Sequence, residues 1–330
     1  MKLYAFFLTA YLFCPLISNG KDYKQYYLSI NNATSYALAG HFEKSIELYD
    51  DTFRQYKFVF ARDVYDALLI SILAKKKNYI QKNLEKCIEF GVDTNFLYVV
   101  PFVDSNVNFL KDTIRKKYIS LNNTYKSMFD FNLKKIISEM YYYDREAKSS
   151  LNLNDKDQKA IWYEIMASNF KKYDSIVKSK GHLIGEKTIG IDNMKAFGSK
   201  MHKMSLIDHG KFCFPNFHQC VIILMHEYCS ILKLSSYWEK AILNGELHPS
   251  DYASVYEFNA SLVYELKANL SSPINKCEST FPNRYYTLIM SRKNIPFTDS
   301  CRNAIFLPKM NHLDSISKFN DKYKIKFKEY

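Results

Sequence analysis

Residues 24–56 read KQYYLSINNATSYALAGHFEKSIELYDDTFRQY, and this stretch decides the fold. Ala33, Tyr36, Gly40, Phe42, Ser45, Ile46, Tyr49 and Thr52 follow one another at helical spacing on either side of a glycine. Ala33 and Ser45 are small, so two helix backbones can approach closely where they cross. Tyr36, Phe42 and Tyr49 fill the seam between them. Gly40 ends the first helix and permits a tight turn. The pattern predicts a helical hairpin.

Outward from the hairpin, a second and looser unit spans roughly 62–91. Tyr65, Ala67, Leu68, Ile72, Leu73, Tyr79, Leu84 and Ile88 supply two apolar faces, Lys75 to Asn78 make a polar turn, and Gly91 closes it. Such units cannot bury their faces alone and stack in threes or more, so a helix around Val107–Tyr118 is predicted as the third layer. An ordinary helical bundle with chance spacing is the competing reading. Further along, the apolar positions Phe129, Leu133, Ile136, Ile137 and Met140 predict one long helix over Tyr125–Tyr143. Helices are also expected over 159–180, 216–233, 235–245 and from Pro249 to about Asn269. After Pro273 prolines punctuate short segments. The alternation Tyr323-Lys324-Ile325-Lys326-Phe327-Lys328 fits a short strand and, equally, a basic tail. The expected fold is therefore mainly all-α: helical hairpins over 21–120, then a helical domain over 121–330 with irregular C-terminal segments.

Residues 1–20 carry an address. Lys2 precedes an apolar run, Leu3–Ile17, closed by Ser18-Asn19-Gly20, with small residues at positions −3 and −1 of a cut after Gly20. These are the parts of a secretory signal peptide, and the run is shorter than the roughly 20 residues of a bilayer span. An exported chain starting at Lys21 is expected, periplasmic or extracellular, with no membrane span. The 330 residues hold only 9 Gly and 8 Pro, which favours long helices, and 47% are apolar, enough for a core. Net charge is +12, but the lysine clusters lie far apart. A solvated basic surface is expected, and nucleic acid is disfavoured as a partner. Six cysteines follow the signal, and an exported chain permits disulfides. Cys277 and Cys301 flank a proline-bearing segment and are the favoured pair.

Several sparse anchors occur in order: Asp144-Arg145 after a helix, Gly181 with Gly185, Met225-His226, Gly245-Glu246-Leu247 with Pro249 and Tyr252-Ala253, then Asp299, Arg302 and Leu307-Pro308. With the hairpin signature they resemble a family of uncharacterised exported Bacteroidota proteins, in which a tetratricopeptide-like region precedes a domain of unknown function. The hairpin departs from the repeat at Ser45, Thr52 and Lys57. Relatives tend to place Asp-Gln before the arginine and Gln-His in the later helix, where this chain has Asp144-Arg145 and Met225-His226. The resemblance implies an address and an architecture, with no reaction attached.

No local motif carries chemistry. His226-Glu227 would begin a zinc-protease helix, but position 230 is Ser230. His218 and Cys229 are eleven residues apart, roughly 16 Å along a helix, too far to share a zinc ion. The glycines at 181, 185, 190 and 198 match no phosphate loop. No cofactor and no metal are expected. Asp144, Arg145, His226, Glu246, Asp299 and Arg302 remain as candidates for an acid–base pair with an arginine clamp, or as buried ion pairs. The leading expectation is an interaction or scaffolding protein of the cell envelope with another protein as partner. The alternatives are an enzyme using a polar cleft around Asp144, Arg145 and His226, or a host-directed effector. Convergence of those residues on one cleft would favour the enzyme.

Overall fold

The computed structural model describes residues 22–191, 207–208, 211–212, 219–227, 230–269, 295–323, 325 and 327. The N-terminal helices are α1 (Tyr23–Leu38), α2 (Phe42–Gln55), α3 (Ala61–Leu73), α4 (Lys77–Glu89), α5 (Thr94–Val99), α6 (Pro101–Val107) and α7 (Lys111–Met128). Next come α8 (Phe131–Ser150), α9 (Lys156–Lys180), α10 (Glu186–Ile189), α11 (Gln219–His226), α12 (Ser230–Lys233) and α13 (Ser235–Leu243). The last are α14 (Pro249–Asn269), α15 (Ile295–Ala304) and α16 (Met310–Tyr323). Ile207–Asp208 and Lys211–Phe212 pair as two-residue antiparallel strands β1 and β2. The fold is all-α, as the sequence predicts.

α1 and α2 cross at the small residues. Ala33 and Ser45 are fully buried, and the Ser45 hydroxyl donates to the Ala33 carbonyl at 2.7 Å. A serine thus does at the crossing what alanine does sterically, and adds a bond. The turn is closed by Gly40 N–H to Ala37 O and His41 N–H to Tyr36 O, with Gly40 at φ 83°. The same pair of bonds closes α3–α4, from Lys75 N–H to Ile72 O and Lys76 N–H to Ser71 O. There the left-handed position is held by Lys75 at φ 56°, a residue with a Cβ. Within this second unit Asn83 donates to the Ser71 hydroxyl, tying α4 to α3. α7 packs on α4 and buries Ile114 and Leu121.

The hairpin core runs on past residue 120. Phe129, Ile191, Ile242, Phe319, Ile325 and Phe327 belong to the same cluster as Tyr26, Ile46 and Leu68. α16 lies against the first hairpin: Ser35 Oγ meets His312 Nε2 at 2.9 Å, and Phe42 packs edge-on to Phe319 and Tyr323. Asn31 donates to Phe306 O at 2.7 Å, and the Tyr27 and Phe306 rings stack. A second cluster joins α8, α9, α11, α13 and α14 through Ile137, Phe170, Tyr173, Leu224, Trp238 and Val255.

Polar groups fasten the two clusters. Glu186 Oε1 accepts from Ala61 N–H at 2.6 Å, setting a carboxylate on the N-terminus of α3. Arg62 donates to Ser250 Oγ at 2.6 Å and to Asp251 Oδ1 at 2.7 Å, with side chains 11% and 1% exposed for the Arg62–Asp251 pair. Tyr27 OH donates to Ile242 O. Gly185 is needed for this approach, because a Cβ there would stand 1.8 Å from Glu246 O.

Three sequence expectations are corrected. The single helix over Tyr125–Tyr143 is two: α7 ends at Met128, Phe129 is extended, and Asp130 caps α8 by accepting from Leu133 N–H. Ile136, assigned to the apolar stripe, is 45% exposed. The helix over 216–233 breaks after His226, where a buried asparagine from α14 takes up the freed backbone groups. No strand forms at the described residues of 323–327: Tyr323 ends α16, and Asn320 clamps Phe327 through both its N–H and its carbonyl. Cys301 carries a free thiol, and Cys277 lies outside the described residues.

Lys75→Gly removes a Cβ from a left-handed position and should raise stability by about 0.5–1 kcal/mol, whereas Gly40→Ala should lower it by about 1 kcal/mol. Urea unfolding of the two variants measures both. A Lys75→Gly protein less stable than wild type would contradict the shared turn geometry.

Candidate functional site

The row Leu133, Ile137, Met140 and Asp144 occupies one face of α8, so Asp144 is buried where the apolar stripe would continue. α9 packs alongside, and Asn169 Nδ2 donates to Met140 O at 2.9 Å. Its Trp162 donates Nε1–H to Asp144 Oδ1 at 2.8 Å. The other carboxylate oxygen, Oδ2, lies 2.6 Å from His226 Nδ1, with the Trp162 ring edge-on to the imidazole at 5.6 Å. Phe258 of α14 flanks the histidine at 6.0 Å. A carboxylate on Nδ1 selects the Nδ1–H tautomer and leaves Nε2 as the basic nitrogen. Carboxylates orient general-base imidazoles in this way.

His226 is placed by an interruption of its own helix. α11 ends at His226 and α12 begins at Ser230, and Asn259, fully buried on α14, satisfies the loose ends. Its Nδ2 donates to Leu224 O and Met225 O, and its Oδ1 accepts from Ser230 Oγ and Ile231 N–H. Ser230 shares its one hydroxyl proton between Asn259 Oδ1, at 3.0 Å, and Leu224 O, at 2.6 Å. Carbonyls orphaned at the end of α11 and an amide at the start of α12 thus share one side chain. An uninterrupted helix over 216–233 would need none of these bonds.

The other predicted residues occupy different settings. Arg145 is half-buried beside Asp144 on α8. Glu246, in the turn between α13 and α14, accepts from Thr188 Oγ1 at 2.7 Å and lies 3.9 Å from His182 Nδ1. Burial lifts its carboxyl above the ordinary value, while Thr188 and His182 act in the opposite sense. Arg302 is fully buried on α15 and donates Nε–H to Pro308 O at 2.5 Å. Asp299 caps α16 by accepting from Met310 N–H. Of the predicted set, the structure joins Asp144 directly to His226. Among the described residues no three His, Cys, Asp or Glu side chains converge in a metal-sized group, and His218 and Cys229 lie outside those residues.

Trp162, Asn259 and Glu257 carry no signal that sequence reasoning picks out as functional. Glu257, on α14, is pushed up to about 7 by burial, with the Arg302 charge opposing. Trp162 is one of only two tryptophans, and that rarity is the one feature that could have drawn attention to it. Separately, a groove of about 400 Å³ runs between α7 and α8, lined by Tyr118, Tyr125, Phe131, Lys134 and Lys135. No helix of the described residues is long and apolar enough to cross a membrane. Comparison with known protein families, with curated proteins and with solved structures returns no match.

Glu257 generates a pH prediction. Its folded value lies above the ordinary 4.5, so the folded chain holds the proton more tightly than the unfolded one. The neutral form is at no disadvantage below pH 4.5, and stability is lost as pH rises through about 7. Glu257→Gln should therefore leave Tm nearly unchanged at pH 4.5 and raise it by about 2–4 °C at pH 8. Equal shifts at both pH values would contradict the burial of this carboxyl.

Proposed function

We propose that this is an exported protein of the cell envelope that works by binding another protein through the outer surface of α7–α9. One observation carries the reading. Of nine exposed large apolar side chains among the described residues, eight fall between Phe109 and Ile161. Ile119 is 73% exposed, and Tyr118, Met128, Phe131, Ile136 and Tyr143 accompany it on α7 and α8. Seven of the nine lie on the consecutive helices α7–α9, of which α8 and α9 pack on each other, and apolar exposure concentrated in one region supports an interaction surface where scattered single residues do not. The first hairpin is a poorer candidate, because α16 already packs on it. The apolar leader and the resemblance to a family of exported proteins support the address.

A second reading rests on the Asp144–His226 pair, which has the geometry of an oriented base. In that reading the chain is an enzyme of proton-transfer or hydrolytic type, with His226 Nε2 as base and Asp144 as the group that holds it.

A photo-crosslinker placed at residue 119 or 136 in cells should give a discrete heavier adduct, and one at Lys44, on the exposed side of α2, should give none. Equal yields at all three positions, or none at any, would contradict the binding surface. Loss of the deletion-complementing activity in His226→Gln, with Ile119→Asp plus Ile136→Asp fully active, would favour the enzyme.

A further inference from the structure

The groove between α7 and α8 has a chemistry more specific than the apolar surface around it. Its volume, about 400 Å³, is that of a site for one or two side chains or a small molecule. Tyr118 and Phe131, each 39% exposed, form its apolar walls. The basic wall is Lys134 and Lys135. Lys134 is fixed in place: its Nζ donates to Tyr125 OH at 2.8 Å and to the Ile191 carbonyl, and sits 5.5 Å over the Tyr125 ring. Lys135 is 78% exposed, and its carboxylate neighbour Glu139 lies 3.9 Å away and is itself exposed, a weak pair. The acidic lining residue, Asp93, spends an oxygen on Asn95 N–H as the cap of α5.

Resting on the reading that α7–α9 bind a protein, we propose that this groove takes an acidic segment of the partner. An aspartate or glutamate of that segment meets Lys135 beside Lys134, and an adjacent aromatic or aliphatic residue lies between Tyr118 and Phe131. Charge favours this occupant: two lysines and one carboxylate line the groove, the Glu139 carboxylate beside Lys135 is exposed and loosely paired, and the chain's net charge of +12 attracts acidic surfaces at long range. Extent favours a protein segment over a free acid. Ile119, 73% exposed, follows the groove residue Tyr118 on α7, so an occupant that extends past the Tyr118 wall buries apolar area that a single small molecule in the groove does not reach. The pre-set position of Lys134 reduces the ordering cost of the contact.

Fluorescence anisotropy of the full chain tests this with three labelled dodecapeptides, built of Asp-Phe, Ser-Phe and Lys-Phe pairs in a glycine–serine background. The Asp-Phe peptide should bind at least ten-fold more tightly than the Lys-Phe peptide, and 0.5 M salt should weaken it. Lys135→Glu, at an exposed position where folding is not at risk, should weaken it five-fold or more, and Lys135→Arg should restore it. Equal affinity for the acidic and basic peptides would overturn the proposal, as would indifference to Lys135→Glu. Phenylacetate competing as well as the free Asp-Phe peptide would assign the groove to a small acid and overturn it too. An adduct of twice the chain mass at residue 119 would make the occupant a second copy and would equally overturn it. Crosslinks at 119 and 136 that persist without an acidic preference would sink this inference alone; their absence would sink the parent reading.

Discussion

A carboxylate from one half of the chain sits on the N-terminus of a helix in the other, and the arrangement of both halves depends on it. Glu186 meets the Ala61 amide at the first turn of α3, and one residue later Arg62 reaches Ser250 and Asp251. Around them Tyr26 donates to Asp63, and the His248 ring lies edge-on to Tyr27 and Phe60. Charges this deeply buried add little net stability as a pair, but removing one partner strands the other at a cost of about 3–5 kcal/mol. Such groups act as a register. Any other docking of α1–α4 on the later helices would leave Asp251 and Glu186 buried without their donors.

That register shapes the surface left for function. With the junction made, α16 closes over the first hairpin, and Phe306 stacks on Tyr27. The apolar exposure remaining among the described residues is concentrated on α7–α9. The same docking carries residues 185–191, with α10, against the start of α8, where Asp130 N–H donates to Thr188 O. The Ile191 carbonyl accepts from Tyr125 and from Lys134, fixing the floor of the α7–α8 groove. One set of buried polar contacts thus links the packing of the hairpins to the form of the groove.

The parts of this fold that are local in sequence were legible in it. Ala33, Gly40 and Ser45 announced the first hairpin because a close crossing and a left-handed turn each demand a particular kind of residue. The second hairpin makes the same turn at Lys75, where no glycine marks it. The break at Phe129–Asp130 was hidden under a continuous apolar period, although Asp130 is a helix-capping residue type. The break after His226 could not be read locally, since Asn259, which satisfies it, lies over thirty residues away on another helix. Asp144 and His226 were both singled out, yet 82 residues separate them, and only the packing of α8 against α11 brings them to 2.6 Å. The Glu186 cap is longer in range still, at 125 residues.

Cooperativity between the halves tests the account most directly. Both tryptophans, Trp162 and Trp238, lie beyond the hairpins, so their fluorescence reports the later helices. Hydrogen exchange of peptides from α1–α4, followed through the same urea titration, reports the hairpins. If the Glu186 and Arg62 contacts make one unit, the two midpoints coincide in the wild type and move down together in Arg62→Ala. Hairpin amides that stay protected after the tryptophan signal has been lost would contradict it.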